Sequence, residues 1–271
     1  MATFILKNHE VYYEEYGQGT PLVLLNGIMM STLSWKPFIE AFSNQHRLIL
    51  VDLLDQGKSS KLDGLEYNQD IQVEVVKALC DHLNLTQIDL FGISYGGEVA
   101  MRFAIDHPSF VRRLLLFNTT AYTSPWLREI GVAWNKATND PEAYYATTIP
   151  VIYSSSFYTK HQEWMNNRKK ILLGVFSNPV FINAMIRLTN SANDHDVRDR
   201  LHEIQAPTLV VSCEHDYITP AQEQSFIASR IPHASLVMIP DSGHASMYEK
   251  PMLFSSLVLG FVSTSKSDDV I

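Results

Sequence analysis

Three short stretches of this chain hold residue types that could act together on a carbonyl group. The first is Gly92-Ile93-Ser94-Tyr95-Gly96, a serine with a glycine two positions away on either side. The run Gln87 to Phe91 before it suits a buried strand, and Gly97 to Ile105 after it suits a helix. A strand, a sharp turn and a helix would lift the Ser94 hydroxyl off a sheet at a helix N-terminus, and the glycines fit a turn where a Cβ would clash. A serine hydroxyl is a weak nucleophile at neutral pH. It needs a general base within hydrogen-bond reach, and the base needs an orienting acid. The other two stretches supply candidates. Cys213 to Pro220 carries Asp216 just past a strand, and Asp241-Ser242-Gly243 precedes His244.

The elements that must position these residues follow from the hydrophobic pattern. Phe4 to Lys7 and Glu10 to Tyr16 read as a hairpin around Asn8-His9. Pro21 to Leu25 is a continuous apolar run, the signature of a strand buried on both faces. Trp35, Phe38, Ile39 and Phe42 have helical spacing within Ser34 to Asn44. Arg47 to Leu53 is the next strand, and an amphipathic helix runs from about Asp70 to Leu83. His107-Pro108 stops the helix after Ser94, and Val111 to Phe117 is again a strand. Alternating strands and helices imply a mostly parallel sheet covered by helices on both faces. The rhythm breaks between Thr119 and Gln205, where β character is low and aromatics are many. It resumes with strands at 206–212 and 234–239 and helices at 220–230 and 252–262. The chain therefore divides into an α/β core, residues 1–120 and 206–271, and a helical cap, residues 121–205, inserted between strands 6 and 7. The polar tail from Ser263 should fray. The ends of strands 5, 7 and 8 then bring Ser94, Asp216 and His244 to one edge of the sheet, where such folds gather their active sites.

Composition excludes several classes. The 271 residues suffice for one sizeable core. A net charge of −8 argues against a nucleic acid or an anionic membrane as partner. No run approaches the ~20 apolar residues of a membrane span, and Met1 to Lys7 is too short in apolar residues for a signal peptide, so the expected location is cytoplasmic. Cys80 and Cys213 fall in a helix and a strand and read as two buried free thiols. His195, His202 and His215 lack metal-ligand spacing and read as solvated. No metal or other cofactor is needed.

These residues resemble the α/β-hydrolase superfamily, in its lidded branch of esterases, lactonases, carbon–carbon bond hydrolases and cofactor-free haloperoxidase-like enzymes. The similarity spans roughly residues 4 to 263. It implies an α/β-hydrolase fold with Ser94 as nucleophile, Asp216 as acid and His244 as base. It also implies an oxyanion hole made by the backbone N–H groups of Ile28 and Tyr95, because the family's His-Gly pair stands here as Asn26-Gly27. Three further positions depart from the family's pattern. Cys213 stands where the acid loop usually has glycine, and Leu54 and Asp55 replace an arginine and a glycine in the loop Asp52 to Ser59. Some relatives place the acid after strand 6. Here that position is Asn118, which cannot stabilise an imidazolium, so Asp216 is favoured. Glu214 comes too early, and Asp241 reads as a turn-former. Relatives with an aspartate nucleophile are excluded by Ser94.

The expected reaction is hydrolysis of a carboxylic ester, thioester or lactone with an apolar acyl group through an acyl-enzyme. The same triad could serve acyl transfer, biosynthetic thioester release or a lyase reaction, and the same fold could serve a slow-turnover ligand receptor. The expected pocket lies between cap and core, walled by Met29, Met30, Trp35, Trp126 and Met247. The partner is a small acyl substrate, and the chain is a monomer or homodimer.

Overall fold

The computed structural model describes residues 2–263; the tail from 264 to 271 lies outside the described residues. Eight strands form one sheet: β1 (Ala2–Leu6), β2 (His9–Tyr16), β3 (Thr20–Leu25), β4 (His46–Val51), β5 (Ile88–Ile93), β6 (Val111–Phe117), β7 (Thr208–Cys213) and β8 (Ala234–Ile239). Their order is β1-β2-β4-β3-β5-β6-β7-β8. β1 and β2 pair antiparallel, as do β2 and β4, and every other pairing is parallel. The opening hairpin turns at Lys7 and Asn8, both at positive φ, one residue earlier than the sequence pattern indicates.

The central strands are buried on both faces because helices cover both. α2 (Asp70–His82), α3 (Tyr95–Asp106) and α9 (Ala221–Arg230) lie on one side, over a core that includes Val23, Val76, Leu90 and Val99. On the other side α1 (Ile39–Ser43) and α11 (Pro251–Ser263) enclose a core dominated by aromatic rings. There Trp35 meets Phe91 edge-on at 5.4 Å, and Phe254 meets Phe117 at 5.1 Å. The segment before α1 differs from the sequence reading. Thr32–Phe38 is a 3₁₀ turn, and α-helix begins only at Ile39. Pro37 explains this, since its ring and missing N–H forbid an α-helical turn there.

Between β6 and β7 the chain leaves the sheet and builds five helices: α4 (Pro125–Ala137), α5 (Pro141–Ile152), α6 (Ser155–Lys160), α7 (Gln162–Phe176) and α8 (Pro179–Ser191). Three of them start in the same way. Ser124, Asp140 and Asn178 cap helices whose first residue is proline, each side chain accepting a backbone N–H of the first turn. The insertion has a narrow neck, where Thr123 N–H donates to His195 O at 2.9 Å and Val197 N–H to Ala121 O at 2.9 Å. From Arg198 the chain is already back on the core, packed against α3 and α9.

One buried ion pair ties the insertion to the core. Asp55 sits at φ 69° with its side chain fully enclosed. Its oxygens accept from Arg187 of α8 at 2.6 and 2.9 Å, from Leu62 N–H at 2.9 Å and from Tyr67 Oη at 2.8 Å. Removing one partner of such a pair strands the other charge, a loss of about 3–5 kcal/mol. Arg187→Ala should therefore lower the unfolding free energy by that order, read as a fall in the urea midpoint at an unchanged m-value. An unchanged midpoint would mean that water reaches Asp55.

Candidate active site

The site begins at the turn after β5. Ser94 has φ 53° and ψ −123°, outside the regions ordinary residues favour. Its N–H donates to Phe117 O at 2.9 Å, and its carbonyl accepts from Gly97 N–H, Glu98 N–H and Thr119 Oγ1. The flanking glycines allow the contact on either side. A Cβ at Gly92 would stand 2.3 Å from Gly96 O, and one at Gly96 would stand 2.5 Å from Leu25 O. Ser94 is partly exposed while its neighbours Ile93 and Tyr95 are buried.

Asp216 and His244 meet at the neighbouring strand ends. His244 Nδ1 lies 2.8 Å from Asp216 Oδ2. This contact places the ring proton on Nδ1 and leaves the Nε2 lone pair available. The Asp216 carboxylate also accepts Ile218 N–H at 2.8 Å, Thr219 N–H at 2.9 Å, Thr219 Oγ1 at 2.9 Å and Asn118 Nδ2 at 2.9 Å. Burial alone would push its pKa up. The charge and hydrogen bond of His244, with the Thr219 and Asn118 bonds, outweigh burial and hold it below the ordinary carboxylate value. Asn118 thus supports the acid from the position where some relatives place the acid itself. It sits at φ 47°, and its Oδ1 accepts from Ser246 Oγ at 3.1 Å. Glu214 lies one residue past β7 and accepts Asp241 N–H at 2.9 Å, and Asp241 is a turn residue at φ 48°.

The loop after β3 faces this group. Asn26 is fully buried and braces it, donating to Val51 O at 2.9 Å and accepting from Trp35 Nε1 at 2.7 Å. Among the described residues, neither Ile28 N–H nor Tyr95 N–H donates to a protein acceptor. Tyr95 opens α3, where the first N–H groups lack helical partners.

Two cavities meet at Ile28. The larger has a volume of about 610 Å³ and is lined by His244, Met29, Met30 and Met247 from the core and by Tyr153 and Phe176, among others, from the insertion. The smaller, about 80 Å³, is lined by Ser94, Tyr95, Glu98, Trp134 and Thr219, among others. Two expected pocket residues belong elsewhere. Trp35 is completely buried on the opposite face of the sheet, its indole committed to Asn26 and the Phe91–Phe254 cluster. Trp126 is half-exposed and lines a separate surface groove with Tyr122 and Pro220. His195 is also not solvated. It is buried at the neck with Nε2 3.1 Å from Thr120 O, and burial pushes its pKa down to about 4. Among the described residues no cluster of three or more potential metal ligands occurs.

Two acids that the sequence reading did not single out belong to the site. Glu249 of α10 (Ser246–Glu249) ties the His244 loop to the insertion, accepting Gly243 N–H at 3.1 Å, Ser154 N–H at 2.9 Å and Ser154 Oγ at 2.6 Å. Glu98 lies one turn into α3, almost fully buried, and accepts Gln69 Nε2 at 2.5 Å. Burial pushes its carboxyl up to about 8, against smaller lowering pulls from Gln69 and Arg102. A glutamate within the apolar stretch Gly96 to Ile105 was the available signal.

Comparisons with known proteins bear on the fold as a whole. Residues 20–251 match the family described as alpha/beta hydrolase fold. The crystal structure of MGS-M2, an alpha/beta hydrolase enzyme from a Medee basin deep-sea metagenome library, is 46% identical, covers 100% of both chains and superposes with a TM-score of 0.98. A pimeloyl-[acyl-carrier protein] methyl ester esterase from Nitrosomonas europaea is 29% identical over 91% of this chain and 97% of its own. The structure of Est816, an N-acyl homoserine lactone degrading enzyme, is 26% identical over 96% and 100% of the two chains, with a TM-score of 0.83.

Glu98 generates a prediction about stability. Its carboxyl rises from 4.5 to about 8 on folding, so the fold favours the protonated form. This contribution is complete below about pH 4.5 and is lost as pH rises toward 8. Glu98→Gln removes the titration, so its gain in Tm over the parent should be larger at pH 8 than at pH 5. An equal difference at both values would mean that Glu98 titrates normally.

Proposed function

The chain belongs to the α/β-hydrolase fold family, and on that premise we propose that it is a serine hydrolase of carboxylic esters, thioesters or lactones with a largely apolar acyl part. The observations that carry this reading are the buried His244–Asp216 contact at 2.8 Å and a serine on a strained strand-to-helix turn. In this reading His244 Nε2 takes the Ser94 proton as Oγ attacks the carbonyl carbon. In the same reading the oxyanion accepts hydrogen bonds from the backbone N–H groups of Ile28 and Tyr95. His244 then protonates the leaving oxygen or sulfur, and the acyl-enzyme forms. Water, deprotonated by the same Nε2, releases the acid. Asp216 remains ionised throughout, fixes the Nδ1–H tautomer and stabilises the imidazolium. The lowered pKa of Asp216 supports this role. The relatives named as a methyl ester esterase and an N-acyl homoserine lactone degrading enzyme support the carbonyl chemistry.

A fluorophosphonate probe tests the nucleophile. The parent protein should label at Ser94 and hydrolyse p-nitrophenyl esters, and Ser94→Ala should do neither. Labelling at another serine would remove Ser94 from the mechanism. Asp216→Asn should retain the fold but lose about 10⁴ in kcat through the wrong histidine tautomer. Near-parental turnover would assign the orienting role to another acid.

Asn118→Ala should act more gently. It removes one neutral donor to a carboxylate that keeps four other donors. A bond to a charged group is worth about 1.5–3 kcal/mol, so stability should fall by that order while Ser94 still labels. A complete loss of labelling would show that Asn118 has a larger part in the reaction than supporting Asp216.

A further inference from the structure

The smaller cavity holds a polar group that the proposed mechanism does not use. It is walled mainly by apolar side chains such as Ile130, Trp134 and Ile218, yet the Glu98 carboxyl also lines it. Glu98 stands in the first turn of α3, the helix that Ser94 precedes, and both residues line this cavity. Gln69, fully buried at the start of α2, donates to Oε2 and fixes the carboxyl plane. Among the described residues Oε1 has no hydrogen-bond partner, and it is not among the buried polar atoms sealed away from the cavity. An unpartnered polar atom facing a mostly apolar cavity, which Thr123, Arg128, Thr189 and Asn193 also line, loses free energy unless a ligand completes it.

The positions of the base and the nucleophile decide which half of the substrate reaches Glu98. His244 lines the larger cavity, and Ser94 and Thr219 line the smaller one. The base must protonate the leaving group, so the leaving group occupies the larger cavity and the acyl group turns into the smaller. We propose that Glu98 is a specificity-determining residue whose Oε1 binds an oxygen on the acyl chain, so that the preferred substrates are esters or lactones of short hydroxy-, alkoxy- or oxo-acids. This rests on the hydrolase reading above. Because Oε2 is the acceptor for Gln69, the carboxyl proton resides on Oε1, and the cavity offers a donor. An acyl oxygen with a free lone pair accepts it, whereas a hydrocarbon chain leaves it unpaired.

The test compares p-nitrophenyl 3-hydroxybutyrate with 3-methylbutyrate, and 4-methoxybutyrate with hexanoate, so that each oxygenated acyl group faces a carbon counterpart of similar shape. In the parent protein kcat/KM should favour at least one oxygenated member by about tenfold or more. Glu98→Leu should bring that ratio close to one, and Glu98→Gln, whose amide can still donate, should keep most of it. Ratios near one in the parent, with Ser94 labelled by fluorophosphonate and both esters cleaved, overturn the proposal without any variant. A parent preference that survives in Glu98→Leu also overturns it. Absence of ester cleavage together with an unlabelled Ser94 overturns instead the hydrolase reading, and the assignment of Glu98 falls with it.

Discussion

The backbone at Ser94, held at φ 53°, is the constraint from which the rest of the site follows. A residue other than glycine in such a conformation costs roughly 1–3 kcal/mol and persists only where its surroundings over-determine it. Here the surroundings are three strands and a helix. The Ser94 amide is bonded to the end of β6, its carbonyl takes three donors, and the first turn of α3 is pressed against the end of β3 so closely that Gly92 and Gly96 have no room for a side chain. Fixing this turn fixes more than one hydroxyl. It sets the direction of the Tyr95 amide and brings Glu98 over the same cavity one turn later.

The partners of Ser94 are organised by a different force, the need to keep a buried carboxylate charged. Asp216 is removed from water and would by burial alone tend to hold its proton. Five donors drawn from β6, the loop after β7 and the loop after β8 reverse that tendency. The strand ends are therefore joined by charge-assisted hydrogen bonds at the point where the parallel sheet opens. The result also orients His244, because only Nδ1 can face the carboxylate while Nε2 faces the larger cavity.

Much of this was legible in the sequence, for physical reasons that can be named. A parallel sheet covered on both faces demands continuous apolar runs, and those at Leu22 to Leu25 and Leu114 to Phe117 could hardly be anything else. The sharp turn at Ser94 demands glycines at fixed offsets. The cap helices announced their starts as Ser124-Pro125, Asp140-Pro141 and Asn178-Pro179, a signal available but unused. What stayed hidden depends on which face a residue presents. Helical spacing groups Trp35 with Phe38 and Phe42 but does not say that this group lies under the sheet, away from Ser94. An abundance of aromatics in the insertion does not separate Tyr153, which lines the larger cavity, from Trp126, which does not. His195 lies between two aspartates and reads as solvated, yet the return of the chain through the neck buries it.

The inserted helices are tied to the rest of the chain by two buried carboxylates that lie outside the insertion. Asp55 reaches up to Arg187 of α8, and Glu249 reaches up to the Ser154 amide and hydroxyl at the start of α6. They flank the larger cavity, which Asp55 itself lines and which Tyr248, next to Glu249, also lines. Apolar packing between the inserted helices and the sheet side resists separation but tolerates sliding, whereas a buried carboxylate with several fixed donors tolerates neither without losing those bonds. The depth of the larger cavity is thereby set from below, by core residues, even though most of its aromatic wall is supplied from above. Asp55 occupies a backbone position at φ 69° that glycine would adopt with less strain. The strain is accepted where it secures the Arg187 contact, and with it the placement of α8 over both cavities.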